Sequence, residues 1–221
     1  MYSLLTIAMD GPAGSGKSTV ARQTAEKIGY LYLNSGSMYR AITLLAMRAN
    51  VNSTRVHELV TLVKQCRLDF ANNGRITLLN GEDVSDLIRT PEIDKAVMEV
   101  AKIPKLREET VKQQRRIGQH GGIVAEGRDV TTVVFPNADL KFYLDASVEE
   151  RARRRFLELR AKEIDCTIER IEQDIRIRDE KDVSREHSPL RRADDAILID
   201  TTDRTAQQVI EFITERIGCH S

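Results

Sequence analysis

The stretch MDGPAGSGKSTVA, residues 9–21, decides the fold. Within it, Gly11 to Ser18 reads GPAGSGKS and fits the pattern G-x-x-x-x-G-K-[ST]. A short apolar run precedes it and an amphipathic segment follows, which is the strand–loop–helix setting that separates a phosphate-binding loop from a chance glycine-rich turn. Its glycines let successive backbone N–H groups turn inward, and the following helix adds the positive end of its dipole. The loop therefore predicts a nucleoside triphosphate site built from Gly11, Pro12, Ala13, Gly14, Ser15, Gly16, Lys17, Ser18 and Thr19. Lys17 would reach the β- and γ-phosphates, and the Ser18 hydroxyl would ligate Mg²⁺.

Outward from the loop, strand-like and helix-like segments alternate, as in a parallel sheet covered by helices. Candidate strands are residues 4–9, 30–34, 122–127, 140–145 and 196–200. Their unbroken apolarity predicts cover on both faces, hence an α/β core. Ser147 with Glu150, and Thr205 with Gln208, fit capping boxes. Pro91 and Pro104 suit first-turn positions, and Gly29 and Gly218 fall where helices should stop. Val56, Leu59, Val60 and Val63 recur at helical spacing, as do Ile168, Ile171 and Ile175. Residues 67–89 break the alternation with Asn-Asn-Gly and Asn-Gly between short apolar runs, which reads as a small antiparallel insertion.

Composition narrows the partners. Basic and acidic residues number 34 each, so no global positive field points to nucleic acid or an anionic membrane. Cys66, Cys166 and Cys219 are far apart and odd in number, which supports neither a disulfide framework nor a zinc site and fits a reducing cytoplasm. The four histidines lack metal-ligand spacing. The apolar run Leu4 to Met9 is too short for a signal sequence, and no run is long enough to span a membrane.

Phosphate-loop proteins include switches, motors and small-molecule kinases. A guanine-reading N-K-x-D element is excluded, because no Asn-Lys pair occurs. A kinase must gather cations around the transferred group, since that chemistry depends on positioning and charge neutralisation. Four segments offer them. NSGSMYR (34–40) follows the second strand and supplies Ser35 and Arg40. EGRDVTTVVFP (126–136) supplies Arg128 and Asp129 at a strand end. EERARRRFLELR (149–160) places Arg154 and Arg155 on a helix that can act as a flap over the triphosphate. In RIRDEKDVSREHSPL (176–190), Arg178, Asp182 and Arg185 recur at spacings that share one helical face. Solvated salt-bridge ladders are the competing reading for the last two.

These segments, with GEDVSDLIRTPEI and IPKLREE between them, stand in the order seen in bacterial-type cytidylate kinases, which the chain resembles over essentially its whole length. The resemblance implies a nucleoside monophosphate kinase fold: a five-stranded parallel core with helices on both faces, an acceptor lobe over about 35–107 that includes the 67–89 insertion, and a lid over about 151–180, all in one domain. It implies transfer of the γ-phosphoryl group of Mg·ATP to CMP or dCMP. It places Arg40, Arg128 and Arg185 on the acceptor phosphate, Arg178 and Asp182 at the ribose, and Arg107 and Asp129 at the base. It also implies a cytoplasmic monomer. Three positions depart from the family pattern. Asn34 stands where Asp is usual, Met98 where a base-contacting Ser is frequent, and Thr131 where Gly is common, the last expected to affect only loop conformation. Rival readings are a kinase for UMP, AMP, shikimate or dephospho-coenzyme A, and a phosphate-loop switch that transfers nothing.

Overall fold

The computed structural model describes residues 4–161 and 163–220. In chain order the elements are β1 (Thr6–Asp10), α1 (Lys17–Ile28), β2 (Leu31–Asn34), α2 (Ser35–Arg48), α3 (Val56–Gln65), β3 (Leu68–Ala71), β4 (Ile76–Leu79), β5 (Glu82–Asp83), α4 (Pro91–Ala101), α5 (Pro104–Ile117), β6 (Ile123–Gly127), β7 (Leu140–Asp145), α6 (Val148–Arg160), α7 (Ile168–Val183), β8 (Ile197–Asp200) and α8 (Ala206–Gly218).

Five strands form one parallel sheet in the order β2-β6-β1-β7-β8. Each candidate strand read from the sequence is present, with ends moved by at most two residues. The sheet is buried on both faces, as its unbroken apolar runs require. One face packs Ile7, Met9, Phe142 and Leu144 against Val20 and Ala21 of α1 and Ile210 and Ile213 of α8. The other packs Leu33 and Ala125 against Met38 and Ile42 of α2 and Leu106 of α5. The central strand β1 leads into the glycine loop, where chain connections diverge to either side; ligands bind open α/β sheets at such a point.

The 67–89 insertion is antiparallel, as its Asn-Gly signals demand: β3, β4 and β5 form a separate three-stranded sheet. Asn80 and Gly81 turn the second hairpin with φ of 53° and 85°. Helix punctuation follows the sequence with two differences. The Thr205–Gln208 capping box is complete, but at Ser147 only half of one forms. Ser147 Oγ accepts the Glu150 N–H, while the Glu150 carboxylate turns to Arg153 and Arg154, whose charges outcompete a backbone amide. Gly29 ends α1 in a left-handed conformation, whereas α8 runs through Gly218 and is capped at Cys219.

Helices α6 and α7 form a hairpin with its own small core, where Ala152 packs with Ile171 and Ile175. Ile168, predicted on the same face, is only half-buried.

Candidate active site

Strand register brings the chemistry to one edge. Asp10 lies opposite Gly127 and Tyr143, and Asn34 lies opposite Glu126, so four strands end together around the glycine loop. The loop passes tightly over β7: a Cβ at Gly11 would stand 1.9 Å from the Leu144 carbonyl oxygen. Lys17 opens α1 and is almost fully buried, with Nζ donating to Pro12 O at 2.7 Å and Ser15 Oγ at 3.4 Å. Burial strips its hydration and Arg128 repels it, so its ammonium is pulled down to about 7. Ser18 Oγ donates to Glu126 Oε1 at 2.9 Å.

Arg154 reaches the loop through Thr201. Its Nη1 donates to Thr201 Oγ1 at 3.1 Å, and the Thr201 hydroxyl donates to Ser15 O at 3.1 Å. A Cβ at Gly16 would stand 3.7 Å from Arg154 Nη1. Arg155 is not brought to this cluster. It is exposed and pairs at 2.8 Å with Glu158, one turn along its own helix. Arg151, which the sequence reading passed over, lies deeper: its Nη1 meets Ala13 O at 3.2 Å and Asp179 Oδ2 at 2.6 Å, tying the loop to α7. Nothing in the run ERARRR separates these arginines until helical phase is fixed by packing.

The second group of arginines faces the same edge. Asp182, buried on α7, accepts Arg128 Nε at 2.9 Å and pairs with Arg185. Burial alone would raise the Asp182 carboxyl; the two guanidiniums outweigh it and hold the group below the usual carboxylate range. Arg178, one turn earlier, keeps a solvent-exposed face, yet protein crowds its inner side. That crowding, then the like charges of Arg128 and Arg40, pull its pKa down. Arg40 donates to Ile88 O at 3.1 Å and pairs with Asp94 of α4, a partner no sequence pattern announced. Ser35 is buried against β6, where a Cβ on Gly127 would come within 2.4 Å of its Oγ.

Arg107 and Asp129 form a buried ion pair, their side chains only 5% and 3% exposed. Arg107 Nη1 also donates to Ala101 O at 2.9 Å, and its guanidinium lies 5.0 Å from the centre of the Tyr39 ring. Arg107 Nε and the Tyr39 hydroxyl are buried with no hydrogen-bond partner among the described residues. Polar groups buried so carry an uncompensated desolvation cost.

A sequence model of the cytidylate kinase family matches residues 7–218. The chain belongs to the cytidylate kinase family. Within that family it is similar to the cytidylate kinase of Geobacillus sp. (strain WCH70), at 43% identity over 224 residues, covering 99% of this chain and 100% of that one. The cytidylate kinase of Bacillus thuringiensis (strain Al Hakam) is 44% identical over 215 residues, 96% of each chain. Among solved structures, an uncharacterized protein from Eubacterium ventriosum ATCC 27560 overlays with a TM-score of 0.50 at 12% identity, covering 97% of this chain and 98% of that one, a likeness of fold alone.

In this cytidylate kinase family member the Arg107–Asp129 pair is held in place from below. Asp10 is wholly buried and accepts the N–H groups of Val130 (2.9 Å) and Thr131 (2.7 Å) and the Thr131 hydroxyl (2.6 Å). Burial nonetheless pushes its carboxyl up to about 6. These bonds anchor a wide turn, Val130–Val134, that begins directly after Arg128 and Asp129. Thr131, expected to affect only loop conformation, thus supplies a hydroxyl to the anchor. Asp10 was legible only as the residue ahead of the glycines; that its carboxylate crosses to the β6 turn follows from strand order. Among the described residues, no group of three or more His, Cys, Asp or Glu side chains is placed to hold a metal, and no helix is long and apolar enough to cross a membrane.

Proposed function

We propose that the chain transfers the γ-phosphoryl group of Mg·ATP to CMP or dCMP, forming ADP and CDP or dCDP. An oxygen of the acceptor phosphate attacks the γ-phosphorus, and the bond from that phosphorus to the bridging oxygen of ADP breaks. The observation that carries the reading is the crowding of cations at the end of the phosphate loop: beyond the effect of burial, Arg128 and Arg178 repel Lys17, and Arg128 and Arg40 repel Arg178. Such a cluster suits two phosphate groups brought face to face, whose combined charge exceeds that of a triphosphate alone.

ATP phosphates take the N–H groups of the glycine loop, and Lys17 swings from Pro12 O to the β- and γ-oxygens. Arg40, Arg128 and Arg185 hold the acceptor phosphate, Arg178 and Asp182 the ribose. Asp129 accepts from the cytosine N4 amino group, where uracil offers an oxygen. Arg154 approaches the transferred group; Arg155, paired with Glu158, does not. Ser18 beside the Glu126 carboxylate makes a hard oxygen set that suits Mg²⁺. Ser18 would hold the ion, which would supply charge neutralisation to the triphosphate.

The lobe from about 35 to 107 receives the acceptor, and the α6–α7 hairpin, which carries the predicted 151–180 lid, closes to exclude water. The chain works as a cytoplasmic monomer on small molecules, with no nucleic acid or membrane partner. The test is to supply CMP with ATP labelled by ¹⁸O on its γ-phosphoryl oxygens. All label should pass to CDP; label appearing in inorganic phosphate with CMP unconsumed would contradict transfer.

A further inference from the structure

Asn34 ends β2 and caps α2. Its Oδ1 accepts the backbone N–H of Ser37 at 2.8 Å. A backbone N–H can only donate, so this contact fixes which end of the amide is oxygen. Nδ2 therefore faces the Tyr32 hydroxyl, 2.8 Å away, and donates to it. The phenol owns a single proton, and as acceptor from Asn34 it is left to donate that proton to Glu126 Oε1 at 3.1 Å. The same oxygen takes the proton of Ser18 Oγ. Tyr32 and Glu126 are 5% and 4% exposed, so bulk water does not replace a lost member. A hydrogen-bond chain thus links the first turn of α2 to the second residue of α1, with Asn34 donating to Tyr32 and both Tyr32 and Ser18 donating to Glu126 Oε1.

We propose that Asn34 is a positioning residue that, through Tyr32, holds the Glu126 carboxylate against the Ser18 hydroxyl and so keeps the Ser18 lone pairs turned toward the cation of Mg·ATP. The proposal rests on the phosphoryl-transfer reading. Direction is its essential feature. A carboxylate at position 34 would keep the Ser37 bond but offer Tyr32 a second acceptor, and one phenol proton cannot serve both. Asn34→Asp and Tyr32→Phe therefore take the same hydrogen bond from Glu126, one by diverting it and the other by deleting it. Asp is also a good helix N-cap, so the first variant leaves α2 intact.

The experiment is Mn²⁺ binding, by electron paramagnetic resonance, to the full chain with a non-hydrolysable ATP analogue, in the native protein, both single variants and the double variant. Each single variant should weaken Mn²⁺ binding by about 3- to 10-fold, the scale of one hydrogen bond, and the double variant should be no weaker than Tyr32→Phe alone. Binding of the analogue without metal should be unchanged in all four, a result that general damage to the loop would not give. Unchanged or tighter Mn²⁺ binding in Asn34→Asp, or losses that add in the double variant, would overturn the relay. No Mn²⁺·analogue binding by the native chain would overturn the transfer reading together with it, whereas a failure to use CMP would leave the relay result standing.

Discussion

Lys17→Met lowers turnover with Mg·ATP and CMP by about 10³-fold or more and leaves the fold intact. The ammonium is the one charge inside the glycine loop, and charge stabilisation of the moving phosphoryl group has no substitute there. Its resting environment is costly, because Lys17 is buried and repelled by Arg128, which the attraction of Glu126 and Asp10 and the hydrogen bond to Pro12 O offset only in part. Methionine has nearly the same length and removes that cost. The thermal midpoint should therefore stay level or rise while activity collapses. Circular dichroism melting and a coupled ADP assay measure the two. Turnover within tenfold of the native chain would show that Lys17 does not meet the transferred group.

Asp129→Ala should change both stability and substrate choice. It strips the partner from Arg107, whose side chain is 5% exposed. Breaking a buried pair on one side costs about 3–5 kcal/mol, which for a chain of this size lowers the melting midpoint by roughly 10 °C. Selectivity falls as well. A site that accepts from the cytosine amino group rejects an isostere lacking that donor because the buried carboxylate would be stranded; without the carboxylate, preference for CMP over UMP should drop by about 10² or more. Adding Arg107→Leu removes the orphaned charge and should recover much of the midpoint but none of the preference. An unchanged CMP to UMP ratio in Asp129→Ala would place base reading elsewhere in the cleft.

The parallel core was legible because its signals are local. Strand runs such as LKFYLD, the Asn-Gly turn at 80–81 and the prolines at 91 and 104 each specify backbone geometry within a few residues. The glycine loop was legible for the same reason. Contacts that depend on which strand lies beside which were not. Asp10 reaches Thr131 across 121 positions, and Ser18 reaches Glu126 across 108, because β6 pairs with β1. Helical phase hid a second class: of the arginines in ERARRR, Arg151 is buried, Arg154 reaches the loop through Thr201, and Arg155 faces solvent. Asn34, marked in the sequence only as a departure from the family pattern, has a definite amide orientation because Ser37 and Tyr32 lie on either side of it.

The most direct measurement is ADP formation from Mg·ATP across CMP, dCMP, UMP, AMP, GMP, shikimate and dephospho-coenzyme A, with each acceptor product identified by mass. Rapid turnover with CMP and dCMP, giving CDP and dCDP, and little with the other acceptors is the predicted result. ATP bound tightly with no acceptor-dependent turnover, or turnover led by an acceptor without a cytosine ring, would contradict the account.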